Sequence, residues 1–284
     1  MTSILSIQSS VAYGHAGNSA ATFPLMRMGV QVWPVLTVHF SNHTGYGAWR
    51  GPLLAAADVA DVILGLDERG VLARCDAVLS GYQGGTDIAE VVLSAADLVR
   101  RRNPAAVYCC DPVMGDVGRG FFVQPGIPEV MRDAVVPQAD IVTPNQFELE
   151  FLTGRRARTQ AEVVSAAEAL RRAGPSTVLV TSVLHETTPV DSVSMLAVGE
   201  QGAWSVSTPL LPPTFVGAGD VTAALFLAHL LRTGDLAAAL GATASSVFGL
   251  LEVTTRSGEP ELALVAGQEE FVRPSRTFRP VRLA

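Results

Sequence analysis

The chain has 284 residues, 48% of them hydrophobic and 17% charged, with a formal net charge of −7 and no long basic run. That profile excludes a disordered chain and argues against nucleic acid or an anionic membrane as the main partner, which leaves small molecules. All 20 basic residues are arginine, so neither a GxxxxGK[ST] phosphate loop nor a lysine Schiff base is available.

In chain order, short β-rich apolar runs alternate with longer segments of helical period, the pattern of βα units feeding a mostly parallel sheet. MTSILSIQSS carries no basic region and no extended apolar run, so it reads as mature structure, with Ile4 to Ile7 as the first strand. A helix over Asn18 to Met28 and a strand over Val30 to Val38 follow, then helices over Ala56 to Leu66 and Asp87 to Arg102 flanking a strand over Ala77 to Leu79. Next come a strand over Ala106 to Cys110, a Gly- and Pro-rich stretch MGDVGRGFFVQPGIP that reads as a flap, and a helix over Ile127 to Val135. Strands over Ile141 to Thr143 and Val178 to Thr181 enclose helices over Phe147 to Leu152 and Gln160 to Ala173. Val193 to Val198 and Trp204 to Ser207 read as an antiparallel pair, and helices over Asp220 to Leu231 and Leu236 to Leu251 close the pattern. No linker divides it, so residues 1–284 read as a single domain: α/β, with three layers α/β/α around a mostly parallel sheet.

The longest apolar run, Val221 to Leu231, is shorter than the roughly 20 residues of a membrane span. Cys75, Cys109 and Cys110 form no CxxC pair, and their odd number fits packed, reduced thiols in a cytoplasmic chain.

Ligands of open α/β sheets bind beyond the carboxyl ends of the strands. The residues there are polar: Gln8 and Ser9, then Ser80, Gly81 and Tyr82, then Asp111 in CDPVMGD, Thr143 and Asn145 in TPNQFE, and Thr181 with Ser182. Each alone is an ordinary turn former, and Asn145 alone could simply cap the helix carrying Glu148. Together, Asp111 and Glu148 are two carboxylates suited to Mg²⁺, which accepts one or two carboxylates plus phosphate oxygens. His39 and His43 have a spacing that binds metal only on a helix, and Asn42, Gly45 and Gly47 oppose a helix, so zinc is rejected. That loop instead suits an aromatic-rimmed pocket, with Phe40, His43, Thr44 and Tyr82 facing a flat heterocycle; Phe40 can equally be core.

In FVGAGDVTAALFLAHLL, Gly217, Ala218 and Gly219 precede Asp220 at the start of an apolar helix. Asp220 can be a plain cap, but a Gly-Ala-Gly turn at a helix N-terminus also gathers backbone N–H groups around an anion. A carboxylate so placed is expected at or below its usual pKa of about 3.9.

The ordered motifs QSSVAYGHAGNSAATFP, FSNHTGYG, LSGY, DPVMGD, TPNQFELE and GAGD resemble the pyridoxal kinases of the ribokinase-like superfamily over nearly the whole chain. The resemblance implies phosphorylation of the 5'-hydroxymethyl group of pyridoxal, pyridoxine or pyridoxamine from MgATP, a K⁺-type cation and a homodimer. By it Asp220 is the catalytic base, and Gly217, Ala218 and Gly219 form the anion hole. Ser9, Phe40, His43, Thr44, Gly45 and Tyr82 line the vitamin site. Asp111, Thr143 and Glu148 serve ATP and the cations, while Asn145, Thr181, Ser182, Thr208, Pro209, Leu210 and Leu211 run along the nucleotide. Many bacterial members carry a lysine where Thr181 stands; here the γ-phosphate depends on amides, cations and Arg119 of the flap. The rival enzyme is a hydroxymethylpyrimidine kinase, expected to differ at FSNHTGYG. A non-catalytic vitamin-binding protein is weakened by GAGD with two cation carboxylates, and a nicotinamide oxidoreductase by SSVAYGHAG where GxGxxG would stand.

Overall fold

Consecutive residues of the central strands point to opposite faces, and both faces are apolar, so the sheet has to be covered on both sides. The computed structural model describes residues 1–186, 188–211 and 215–283. Its strands are β1 (Ser3–Val11), β2 (Gln31–Phe40), β3 (Ala77–Ser80), β4 (Val107–Cys110), β5 (Gly115–Asp116), β6 (Gly120–Phe121), β7 (Ile141–Val142), β8 (Thr177–Val183), β9 (Ser192–Gly199), β10 (Gly202–Pro209) and β11 (Val281–Arg282). Its helices are α1 (Asn18–Arg27), α2 (Ala56–Glu68), α3 (Ile88–Arg102), α4 (Ile127–Val130), α5 (Gln146–Thr153), α6 (Gln160–Arg172), α7 (Ala218–Thr233) and α8 (Leu236–Ser257).

Nine strands form one sheet in the order β2-β1-β3-β4-β7-β8-β9-β10-β11. The run from β2 to β8 is parallel, and β9, β10 and β11 are each antiparallel to the preceding neighbour. Pro34 is tolerated in β2 because β2 is an edge strand. The alternation is visible residue by residue: Val78, Cys110, Val142, Val180 and Val198 pack with α2, α3, α5 and α6 on one face. Leu79, Cys109, Ile141, Leu179 and Ala197 pack with α1, α7 and α8 on the other. The result is the three-layer ribokinase-like sandwich expected from the sequence.

The predicted antiparallel pair is β9–β10, and most predicted helices match within a few residues. The helix expected over Ile127 to Val135 is different: α4 ends at Val130 and the chain continues as a π turn over Met131–Val135 and a 3₁₀ turn over Val136–Gln138. Pro137 has no N–H to donate and its ring crowds the carbonyl four residues back, so regular α-helix cannot run on there. The flap contains the hairpin β5–β6, anchored where Phe121 meets the rings of Phe147 and Phe151 at centroid distances of 5.1 and 5.0 Å.

Helix α8 is the one described helix long and apolar enough to cross a membrane; 67% of its apolar window is buried, against α7 and the sheet. The three cysteines are buried free thiols, and burial pushes Cys75 up to about 11 and Cys110 up to about 12. They pack as small apolar groups.

Candidate active site

The parallel strands deliver their carboxyl ends to one rim, and β10 ends there too because two antiparallel steps restore its direction to that of β8. Helix α7 begins at this rim. Gly217 has φ 87°, a left-handed geometry that suits glycine, and a Cβ on it would run into the backbone carbonyl of His15 in the β1–α1 connection. Around Gly219, by contrast, a Cβ would meet nothing within 4 Å, so open space faces the first turn. Ala218 N–H makes only a long 3.4 Å bond to the Phe215 carbonyl. As in any first turn, these amides lack intrahelical acceptors, and they supply positive potential toward that space.

Asp220 is half-buried at this turn. Burial raises its pKa to about 6, outweighing the downward pull of hydrogen bonds from the backbone N–H groups of Gly17 and of Asp220 itself. The expectation of a value at or below the usual one is therefore corrected. Removal from water costs the carboxylate more than two amides and the helix terminus return.

Across the rim, Phe40 is buried with Val11 and Val38, and Tyr82 packs against this cluster. Ser9 lies near the end of β1, beneath Gly17. His43, Thr44 and Gly45 lie at a 3₁₀ turn over Thr44–Tyr46, and Gly45 approaches the Val216 side chain just ahead of the Gly-Ala-Gly turn. The structure thus places Gly45 beside Val216 and Ser9 beside Gly17, near the turn that carries Asp220, and packs Phe40 with Tyr82. His43 Nε2 lies 3.0 Å from Glu261 Oε1, the Tyr46 hydroxyl donates to the same oxygen at 2.7 Å, and the imidazole stacks on the Tyr46 ring at 4.5 Å.

Asp111 and Glu148 are both buried. Burial and then the neighbouring charges of Glu148 and Asp220 hold Asp111 well above the usual carboxylate range, while burial raises Glu148 to about 7. Thr143 Oγ1 donates to Asp111 Oδ1 at 2.9 Å. Glu148 Oε1 accepts from Met114 N–H at 2.8 Å, and its Oε2 accepts from Asn145 N–H at 2.9 Å. Asn145 completes a capping box with Glu148 and donates from Nδ2 to the Gly115 carbonyl at 2.7 Å. Its side chain therefore both caps α5 and ties down the flap root. Among the described residues no three His, Cys, Asp or Glu side chains converge as a metal cage. Two like-charged buried carboxylates, both resisting ionisation, do fit Mg²⁺ whose other ligands are water and phosphate.

The remaining predicted nucleotide residues follow the rim. Thr181 N–H donates to the Pro144 carbonyl, and Ser182, exposed, has φ 52° at the bulge of β8, the one non-glycine residue described in the left-handed region. Such backbone geometry concentrates at functional sites. Thr208 and Pro209 end β10, Leu210 N–H donates to the Asp191 carbonyl, and Leu211 follows. Arg119 lies at the hairpin tip, 3.7 Å from Asp116 and with its guanidinium 5.0 Å from the Phe122 ring centroid.

Sequence reasoning missed Gly17, Tyr46 and Glu261. Gly17 acts through a backbone amide, which leaves no trace in residue type. Tyr46 stands within FSNHTGYG, where its distance from His43 was a readable signal, but Glu261 lies 218 residues from His43 in a segment without a motif.

A carboxylate at the mouth of a buried helix, a Gly-rich turn and paired carboxylates on the carboxyl rim of this sandwich define a ribokinase-like small-molecule kinase. The phosphomethylpyrimidine kinase family profile matches residues 72–260. Pyridoxal kinase PdxY of Rubrobacter xylanophilus is 60% identical over 280 residues, covering 98% of this chain and 96% of that one. Pyridoxal kinase PdxY of Leifsonia xyli subsp. xyli is 56% identical over 280 residues, covering 99% of each. The solved structure of pyridoxal kinase from Leishmania donovani in complex with ADP and ginkgotoxin superposes with a TM-score of 0.93 at 28% identity, covering 100% of both chains. The chain belongs to the pyridoxal kinase family. The profile match begins after the His43 loop, whereas the full-length relatives also cover that loop.

Proposed function

We propose that this chain transfers the γ-phosphoryl group of ATP to the 5'-hydroxymethyl group of pyridoxal, with pyridoxine and pyridoxamine as further acceptors, in vitamin B6 salvage. The observation that carries this reading is Asp220: a carboxylate whose pKa burial raises to about 6, set in the first turn of α7 with open space in front of Gly219.

Phosphoryl transfer through a loose transition state asks for alignment and charge stabilisation more than for a strong base. Phe40 and Tyr82 form the apolar side of the acceptor pocket, and Ser9, His43 and Thr44 supply hydrogen-bonding groups, with Gly45 leaving room. Asp220 accepts the 5'-hydroxyl proton, a task suited to a pKa near 6. The amides of Gly217, Ala218 and Gly219 face the charge that develops on the transferred group. Asp111 and Glu148, with Thr143 steadying Asp111, would hold Mg²⁺, which when bound neutralises charge on the phosphate oxygens. Asn145, Thr181, Ser182 and Thr208 to Leu211 flank the nucleotide, and Arg119 stands in for the lysine many bacterial members carry at Thr181.

Family membership supports a K⁺-type cation and a homodimer as further parts of this reading. One sheet drawing strands from Ser3 to Arg282 supports residues 1–284 as a single domain. Buried free thiols support a cytoplasmic location. The test is a panel of pyridoxal, pyridoxine, pyridoxamine and hydroxymethylpyrimidine with MgATP, followed by ADP release. Turnover of hydroxymethylpyrimidine alone would assign the rival kinase, and vitamin binding without ADP would assign a carrier.

A further inference from the structure

We infer that Glu261 is a positioning residue for the acceptor substrate: it orients His43 so that Nδ1 presents a lone pair to a hydrogen-bond donor on the substrate's hydroxylated ring. This rests on the acceptor site proposed above.

Glu261 follows α8, yet its side chain, 12% exposed, reaches into the loops after β1 and β2. One oxygen accepts from His15 N–H at 3.0 Å; the other is 3.0 Å from His43 Nε2 and accepts the Tyr46 hydroxyl at 2.7 Å. A carboxylate oxygen accepts, so an imidazole with a single ring hydrogen carries it on Nε2, and Nδ1 is then the acceptor. Stacking on Tyr46, with planes 23° apart, fixes the ring's tilt. The Tyr46 phenol keeps its proton because its hydrogen bond to Glu261 raises its pKa strongly.

His43 Nδ1 is buried and has no hydrogen-bond partner among the described residues. A buried polar atom left unpaired is costly, so a ligand that supplies the donor is matched to it. Gly45 keeps that approach clear: a Cβ there would stand 2.9 Å from Nδ1, although the backbone at Gly45 does not itself demand glycine. Glu261 also holds His15, whose carbonyl backs Gly217, so one carboxylate sets the spacing between the acceptor pocket and the turn before Asp220. Gly14, at φ 81°, admits it, since a side chain there would collide with the Glu261 carboxylate.

The test is a double-mutant cycle on the full chain, with Glu261→Gln, Glu261→Asp, His43→Ala and Glu261→Gln/His43→Ala, reading KM for pyridoxal, KM for ATP, kcat and ADP binding. Glu261→Gln is expected to raise the pyridoxal KM about 10- to 100-fold, the range for loss of a charge-assisted hydrogen bond. The ATP KM and ADP affinity should stay within about 2-fold, Glu261→Asp should recover part of the loss, and Glu261→Gln should add little once His43 is Ala. An unchanged pyridoxal KM overturns the inference. So does an effect of Glu261→Gln that persists undiminished without His43, or one that weakens ADP binding equally, since each marks a merely structural clasp. Wild-type protein that phosphorylates no B6 vitamer would instead overturn the acceptor assignment, and this inference with it.

Discussion

The backbone amide of Gly17 lies close enough to Asp220 to draw its pKa down, so the acid at the start of α7 is influenced from the β1–α1 connection as well as from its own helix. Two elements that meet only in the folded protein therefore set the electrostatics of Asp220.

This placement has a pH consequence. Burial raises Asp220 to about 6, and only the ionised form accepts a proton. In the free enzyme kcat/KM should therefore fall tenfold per pH unit below a limb near pH 6, and not near the unperturbed carboxylate value. Asp220→Asn should lower kcat by roughly 10²- to 10⁴-fold with the fold retained. Near-normal turnover in that variant would reduce Asp220 to a helix cap.

The paired carboxylates predict a conflict between stability and activity. The folded-state pKa values of Asp111 and Glu148 are both raised, so the folded protein holds these protons more tightly than the unfolded chain does. Stability from this source is present at low pH and is lost as pH rises through about 7, the value for Glu148. Asp111→Asn keeps an oxygen for the Thr143 hydroxyl while removing one charge. In EDTA at pH 8 it should melt higher than wild type, by about 2 to 4 °C for each kcal/mol of relieved repulsion. Added Mg²⁺ should raise the wild-type melting temperature more than that of the variant, whose turnover should collapse. A lower melting temperature for Asp111→Asn in EDTA would show that the carboxylate stabilises the apo fold.

Arg119 offers the test for phosphate contact without a lysine. Its side chain is 48% exposed and its nearest partners, Asp116 and the Phe122 ring, belong to the same flap, so nothing in the core depends on it. Arg119→Ala should lower kcat/KM for ATP by about 10-fold, the scale of one charge-assisted bond, with an unchanged melting curve. Unchanged rate and ATP affinity would remove Arg119 from the phosphate site.

What the sequence disclosed depended on period and locality. Strands buried on both faces, such as Val78–Leu79 and Leu179–Val180, read as apolar runs, and the rim positions followed from where those runs end. The capping box of Asn145 and Glu148 was legible because its partners are three residues apart. The strands β5, β6 and β11 are only two residues long and carry no apolar pair such as Ile141–Val142 of β7, and apolar period alone does not separate α4 and its π and 3₁₀ turns from one regular helix. Glu261 could not be found because its role is created entirely by long-range contacts. The pKa of Asp220 was misjudged for a related reason: helix-terminus effects are local and readable, whereas burial belongs to the assembled fold.

The Gly-Ala-Gly turn separates stability from catalysis at neighbouring positions. Gly217 has a positive φ and its Cβ would strike the His15 carbonyl, so Gly217→Ala should cost both melting temperature and rate. Gly219 lies in the first turn of α7 and a methyl there meets nothing in the protein, so Gly219→Ala should hold or raise stability, by up to about 1 kcal/mol from helix propensity. Yet the same methyl enters the open space before the turn, where the proposed reaction puts the transferred phosphoryl group. A stable Gly219→Ala variant with kcat/KM reduced about 10²-fold, the scale for disturbing a single oxyanion contact, would locate the reaction at this turn. A stable variant with full activity would place the phosphoryl group elsewhere on the rim, because no structural damage would be available to mask the result.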